Sequence, residues 1–130
     1  MTMEAELLSL LDAERDRQVD FLQRFARIDT ANPPGDTRQA ADVFRAFLDK
    51  EGIAHRTEAP KADNPNIIAS FEGGRGPGRH LVMNGHLDVF PVGDRAAWQR
   101  DPWSGDILDG RLHGRGTVDM RITAPSRTQS

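Results

Sequence analysis

The sequence predicts an α/β fold in which helices lead and a layered sheet follows. Three observations carry this. Apolar residues recur at helical spacing through roughly the first fifty positions, the period changes after Gly52, and glycine and proline clusters punctuate the chain from there on.

The first helix is expected from about Glu4 to Ile28. Leu7, Leu8, Leu10 and Leu11 start it, and Val19, Leu22, Phe25 and Ala26 continue the stripe. The charged run Glu14-Arg15-Asp16-Arg17 marks a wet face or a break. Asn32-Pro33-Pro34-Gly35 ends the helix, because neither proline can extend it. A second helix is signalled by Asp36 as N-cap with Gln39 three residues later, and by one apolar face of Ala40, Val43, Phe44, Phe47 and Leu48. Gly52 suits the left-handed position past its end, with Ile53 as the apolar residue that follows. Strands are expected over Ile53–Thr57, Asn66–Phe71 and His80–Asn84. The glycine-rich run Gly73–Gly78 between the last two is a turn, since it lacks the spacing of a dinucleotide loop. Ile107–His113 reads as a hairpin turning on Asp109-Gly110.

Composition narrows the function. The chain has 130 residues, 37% of them hydrophobic, which is enough for one globular domain. A net charge of −3 argues against nucleic-acid or anionic-membrane partners, which call for a basic patch. No apolar run approaches a membrane span, and no basic leader precedes an apolar one. The chain has no cysteine, so thiol nucleophiles and cysteine-bound zinc are excluded and any metal must rest on histidine and carboxylate. The cytoplasm is the expected compartment.

Two clusters could do chemistry. In the first, Leu81-Val82-Met83-Asn84-Gly85-His86-Leu87-Asp88-Val89, an apolar run ends in polar groups, as at the carboxyl end of a strand. Strand geometry would turn His86 and Asp88 to one side. Imidazole can bind a metal, and a nearby carboxylate can hold its tautomer. His-x-Asp alone is common by chance. In the second cluster, Leu112 to Met120, Gly114 and Gly116 let the backbone pass close to a neighbour, and Asp119 could enter a cleft. Its two oxygens could bridge two cations. Alone, a surface aspartate after a glycine turn explains it better.

Taken together, the clusters resemble the N-terminal part of the M20 family of zinc metallohydrolases, a group of deacetylases, desuccinylases, aminoacylases and carboxypeptidases. The landmarks are Asn32-Pro33-Pro34-Gly35, Gly85-His86-Leu87-Asp88-Val89-Phe90-Pro91, Trp98 with Asp101-Pro102-Trp103, and Asp109 through Gly116 to Asp119-Met120. The resemblance runs from about Arg17 to Met120. It implies the helices and mixed sheet of a zinc-peptidase-like α/β/α catalytic domain, here incomplete. It implies that His86 and Asp119 are metal ligands, that Asp119 bridges two zinc ions, and that Asp88 is the catalytic-site aspartate beside them. Trp98, Trp103 and His113 match family positions and read as packing and loop-shaping residues. The implied cofactor is zinc, two ions in complete homologues, although histidine and carboxylate also suit cobalt or manganese. The implied substrate is an N-acyl amino acid or small peptide.

After Met120 the resemblance stops. The family's Lys-Gly-Gly is replaced by a polar stretch, Arg121–Ser130, so residues 1–120 are expected to be catalytic-domain sequence and 121–130 a divergent tail. The family's general-base glutamate, remaining ligands and dimerisation domain have no counterpart in the chain. The chain by itself is therefore expected to be inactive, with an exposed sheet edge. Two alternatives are a non-catalytic remnant produced by a frameshift or early stop, and a small metal- or partner-binding module.

Overall fold

The computed structural model describes residues 2–74 and 76–119. Met120 and the expected tail, 121–130, lie outside the described residues. The architecture is mixed α/β. Helices α1 (Met3–Ala13), α2 (Arg15–Ala26) and α3 (Arg38–Lys50) precede strands β1 (His55–Glu58) and β2 (Asn66–Ala69). A short 3₁₀ turn, Arg95–Ala97, and the strands β3 (Ile107–Leu108) and β4 (Arg111–Leu112) follow. The strands form two separate antiparallel hairpins, β1 with β2 and β3 with β4; no larger mixed sheet forms among the described residues.

The long first helix breaks at Glu14, inside the charged run. There the backbone leaves helical geometry (φ −93°, ψ 3°) for one residue. The Thr2 hydroxyl caps α1 by accepting from the Ala5 amide at 3.2 Å. None of α1's side chains is buried. The core lies instead between α2 and α3. The Phe21 ring stands 5.1 Å from Phe25, 5.6 Å from Phe44 and 4.9 Å from Phe47, tilted or edge-on as aromatic quadrupoles prefer. Phe25, Ile28 and Ala40 are buried at its centre, and Val43, Phe44 and Leu87 pack on them.

The start of α3 differs from the sequence expectation. Thr37, not Asp36, is the cap residue, and its side chain makes no capping bond. Both its amide (2.9 Å) and its hydroxyl (3.4 Å) donate to the carbonyl of Asp63, which lies outside the helix. Asp36 still accepts from a first-turn amide, that of Arg38, at 3.0 Å. Its carboxylate also receives the Arg38 guanidinium at 3.0 and 2.6 Å. The end of α3 is as expected. Gly52 takes φ +66°, its amide donates to Asp49, and the Ile53 amide donates to Leu48. That pair of bonds is the Schellman motif.

The hairpins also follow their local signals. Asp109 and Gly110 both take positive φ (50° and 72°), the two-residue turn that matches strand twist. Strands β1 and β2 run in the register His55↔Ala69 to Glu58↔Asn66, so the second hairpin strand is shorter than Asn66–Phe71. The expected strand His80–Asn84 does not form. Leu81, Val82 and Met83 are 78–82% exposed and find no ladder partner among the described residues. A strand needs a neighbour to satisfy its backbone and cover its side chains, and apolar sequence alone does not supply one. No helix among the described residues is long and apolar enough to cross a membrane.

Two outcomes follow. Phe25→Ala should cost about 3–5 kcal/mol in urea denaturation, since it opens the centre of the aromatic cluster. The Arg38 guanidinium holds the Asp36 carboxyl at about 2, below its ordinary 3.8. A lowered folded value means that the ion pair's contribution is present at neutral pH and is lost as pH falls from 3.8 through about 2. A carboxyl NMR titration should find that midpoint in the wild type, and Arg38→Ala should return it toward 3.8.

Candidate functional site

The site is built on a backbone splice. Residues 30–32, just past α2, lie parallel to residues 87–89, joined by the bridge Ala31↔Val89. The Val89 amide donates to Thr30 at 3.1 Å, and the Asn32 amide donates to Val89 at 2.8 Å. The buried Thr30 hydroxyl donates to the Leu87 carbonyl at 2.8 Å. Leu87 packs on the α2–α3 core, and Val89 is 3% exposed. Extended chain alternates its faces, so with Leu87 and Val89 inward, His86 and Asp88 share the outer face. The structure thus brings them together as the sequence implies.

His86 Nδ1 stands 3.1 Å from Asp88 Oδ1 and 2.9 Å from the Asp88 carbonyl oxygen. Both partners only accept when Asp88 is ionised, so the ring proton sits on Nδ1. His86 Nε2 lies 3.5 Å from Asp119 Oδ1. In the neutral ring that nitrogen carries a lone pair, and it faces a carboxylate oxygen across a gap suited to a cation or a proton. All three groups are half-exposed, with 48% of the His86 side chain, 35% of Asp88 and 43% of Asp119 open to solvent. The Asp88 carboxyl lies below its usual range, first because the Asn32 amide donates to it and also because His86 stands beside it, partly offset by burial.

Asp119 arrives on a glycine-shaped loop. Gly116 takes φ +78°, and the Asp119 amide donates to the Gly116 carbonyl at 3.2 Å. At Gly114 an added Cβ would stand 3.1 Å from the Pro102 carbonyl oxygen, so only glycine passes there freely. The Arg115 amide donates to that same oxygen at 2.7 Å. The loop's other anchors include α2 and the residue that ends it: Gln23 Nε2 donates to the Gly105 carbonyl at 2.8 Å, and Nε of Arg27, the C-cap residue, to the Ser104 carbonyl at 3.1 Å.

Trp98 shapes the loops, as its sequence position suggests. Its indole N–H donates to Val92 at 2.8 Å, and the Arg115 guanidinium sits 5.3 Å over its ring. His113 and Trp98 line one shallow cavity of about 310 Å³. Sequence reasoning missed two residues. Arg115 donates to Pro91 at 2.7 Å and so ties the Asp119 loop to the segment after Asp88. Asn32 donates from Nδ2 to Asp88 Oδ2 at 2.8 Å. The only signal for Asn32 was its place before Pro33-Pro34-Gly35, which reads first as a helix stop.

Comparison with known proteins bears on the same stretch. Residues 82–124 match the model of peptidase family M20/M25/M40, a span that contains His86, Asp88 and Asp119. The succinyl-diaminopimelate desuccinylase of Cereibacter sphaeroides is 54% identical over 82 residues, 63% of this chain and 21% of the relative. That of Rhodospirillum centenum is 53% identical over 85 residues, 63% of this chain and 22% of the relative. That of a Bradyrhizobium species is 43% identical over 86 residues, with the same coverage. The chain spans about a fifth of the length of the curated relatives it matches. The resemblance to the M20 family is therefore shown, and what is shared is the N-terminal part of these hydrolases.

Arg115→Ala should release the Asp119 loop. The lost hydrogen bond and ring contact together amount to about 1–3 kcal/mol. Hydrogen exchange at the Asp119 amide should quicken, while the α3 amides stay as in the wild type.

Proposed function

We propose that this chain is the metal-holding N-terminal portion of an M20-type catalytic domain, over residues 1–120, from an enzyme that hydrolyses amide bonds of N-acyl amino acids or small peptides. The observation that supports it most is the row Asp88–His86–Asp119 within the family-matched stretch. The names of the relatives point to an N-succinyl amide, that of succinyl-diaminopimelate, as the whole protein's substrate. We assign it to the cytoplasm, where a chain without cysteine is at home.

The residues fit a divalent ion. Two ligands about 2.0–2.1 Å from one tetrahedral zinc stand about 3.4 Å apart, close to the spacing of His86 Nε2 and Asp119 Oδ1. Imidazole and carboxylate suit zinc, with cobalt or manganese as substitutes. A bound ion would supply Lewis acidity toward a carbonyl and toward water. In this scheme His86 and Asp119 would hold the ion. Asp88 keeps the imidazole in the ligating tautomer. Among the described residues no three His, Asp or Glu side chains are grouped to hold one ion. We therefore propose that the 130-residue chain alone holds metal weakly and does not turn substrate over.

Competition titration with zinc should show weak binding that falls at least about tenfold in His86→Ala and in Asp119→Ala. Wild-type binding that neither variant changes would remove the reading. An assay of the chain with an N-succinyl and an N-acetyl amino acid plus zinc should give no turnover. Turnover that vanishes in His86→Ala would show that the chain is sufficient by itself.

A further inference from the structure

The link between Asn32 and Asp88 crosses 56 residues of sequence, and Asp88 meets His86 Nδ1 with two oxygens, its backbone carbonyl at 2.9 Å and Oδ1 at 3.1 Å. Three features hold Asn32 in place for it. Its amide is fixed by the Val89 carbonyl at 2.8 Å, one residue beyond Asp88. Gly35, buried and at φ +79°, donates to the Ala31 carbonyl at 2.8 Å and closes the turn back onto Asn32. A Cβ on Gly35 would stand 2.9 Å from Asn32 Cγ, so the missing side chain is the space that the Asn32 carboxamide occupies. The Asn64 amide holds the Gly35 carbonyl from the other side.

The chemistry gives the carboxamide one sensible direction. Asp88 Oδ2 only accepts when ionised, so Asn32 must present its NH₂ group. With Oδ2 engaged, the Asp88 carboxylate cannot rotate freely, and Oδ1 stays 3.1 Å from His86 Nδ1. A free histidine prefers no such lock, and either ring nitrogen can carry the proton. We propose that Asn32 is a positioning residue: by holding Asp88 Oδ2 it keeps Oδ1, the rotatable one of the two Asp88 acceptors, on His86 Nδ1, and so strengthens the preference that turns the Nε2 lone pair toward Asp119. The metal-binding consequence rests on the function proposed above; the tautomer consequence does not.

The test uses the 130-residue chain, with zinc alone as the probe. Long-range proton–nitrogen NMR at about pH 9 reads directly which His86 ring nitrogen carries the proton. The wild type should show mainly the Nδ1–H form. Asn32→Ala should shift the population toward Nε2–H and weaken zinc about tenfold or more, with an unchanged circular dichroism spectrum. Asn32→Leu keeps the approximate size and removes the donor without adding charge, and should do the same where Asn32→Ala does not fold. An unchanged tautomer in a folded variant overturns the proposal. Loss of fold in both variants overturns it too, because Asn32 would then serve stability. If the wild type takes up no zinc, the function reading fails, and the tautomer still decides the role of Asn32.

Discussion

The pairing of residues 30–32 with 87–89 is the constraint on which the rest depends. It joins the end of α2 to the segment that carries His86 and Asp88, and it closes a loop that contains α3 and the first hairpin. Closing a loop of 57 residues costs about 4 kcal/mol of chain entropy. Three hydrogen bonds at about 1 kcal/mol each do not offset that by themselves. Burial of Val89 and the packing of Leu87 on the core, about 1.5–3 kcal/mol for a fully buried side chain, tip the balance. The same inward residues force their neighbours outward. The alternation that stabilises the splice is therefore what exposes the imidazole and the carboxylate.

Charge is arranged around this row with little help from burial. His86 lies between two carboxylates in a half-exposed setting, so solvent screens each pair and direct hydrogen bonds set the geometry. Asp88 gains more from the neutral Asn32 amide than from the imidazole beside it. A neutral donor suits the position, because it stabilises the carboxylate without adding a positive charge that would oppose a cation.

What could be read from the sequence was local. The break at Glu14, the Schellman end at Gly52 and the Asp109-Gly110 turn depend on residues within a few positions of one another, and each appears where its signal stands. The α3 cap moved to Thr37 because Asp63, twenty-six residues away, takes up the threonine's amide and hydroxyl. Leu81–Met83 has strand composition, but pairing is a property of neighbours. His86, Asp88 and Asp119 were legible as a set only through their spacing to other landmarks. Asn32 and Arg115 act through bonds to residues 56 and 24 positions distant, for which no local pattern exists.

Helix α2 has a further role that follows from its two attachments. Its carboxyl end leads into Thr30, which fixes the His86 segment, and its Gln23 and Arg27 side chains grip Gly105 and Ser104, which lead toward Asp119. Both halves of the row are thus referenced to one rigid body. Motion of α2 as a whole carries both halves of the row together. Differential motion of the 86–89 or the 106–119 segment against α2 is what alters the gap between His86 and Asp119. The steadiness of that spacing is therefore set by how stiffly the two segments are held, one by the Thr30 bond and Leu87 packing, the other by Gln23, Arg27 and Arg115.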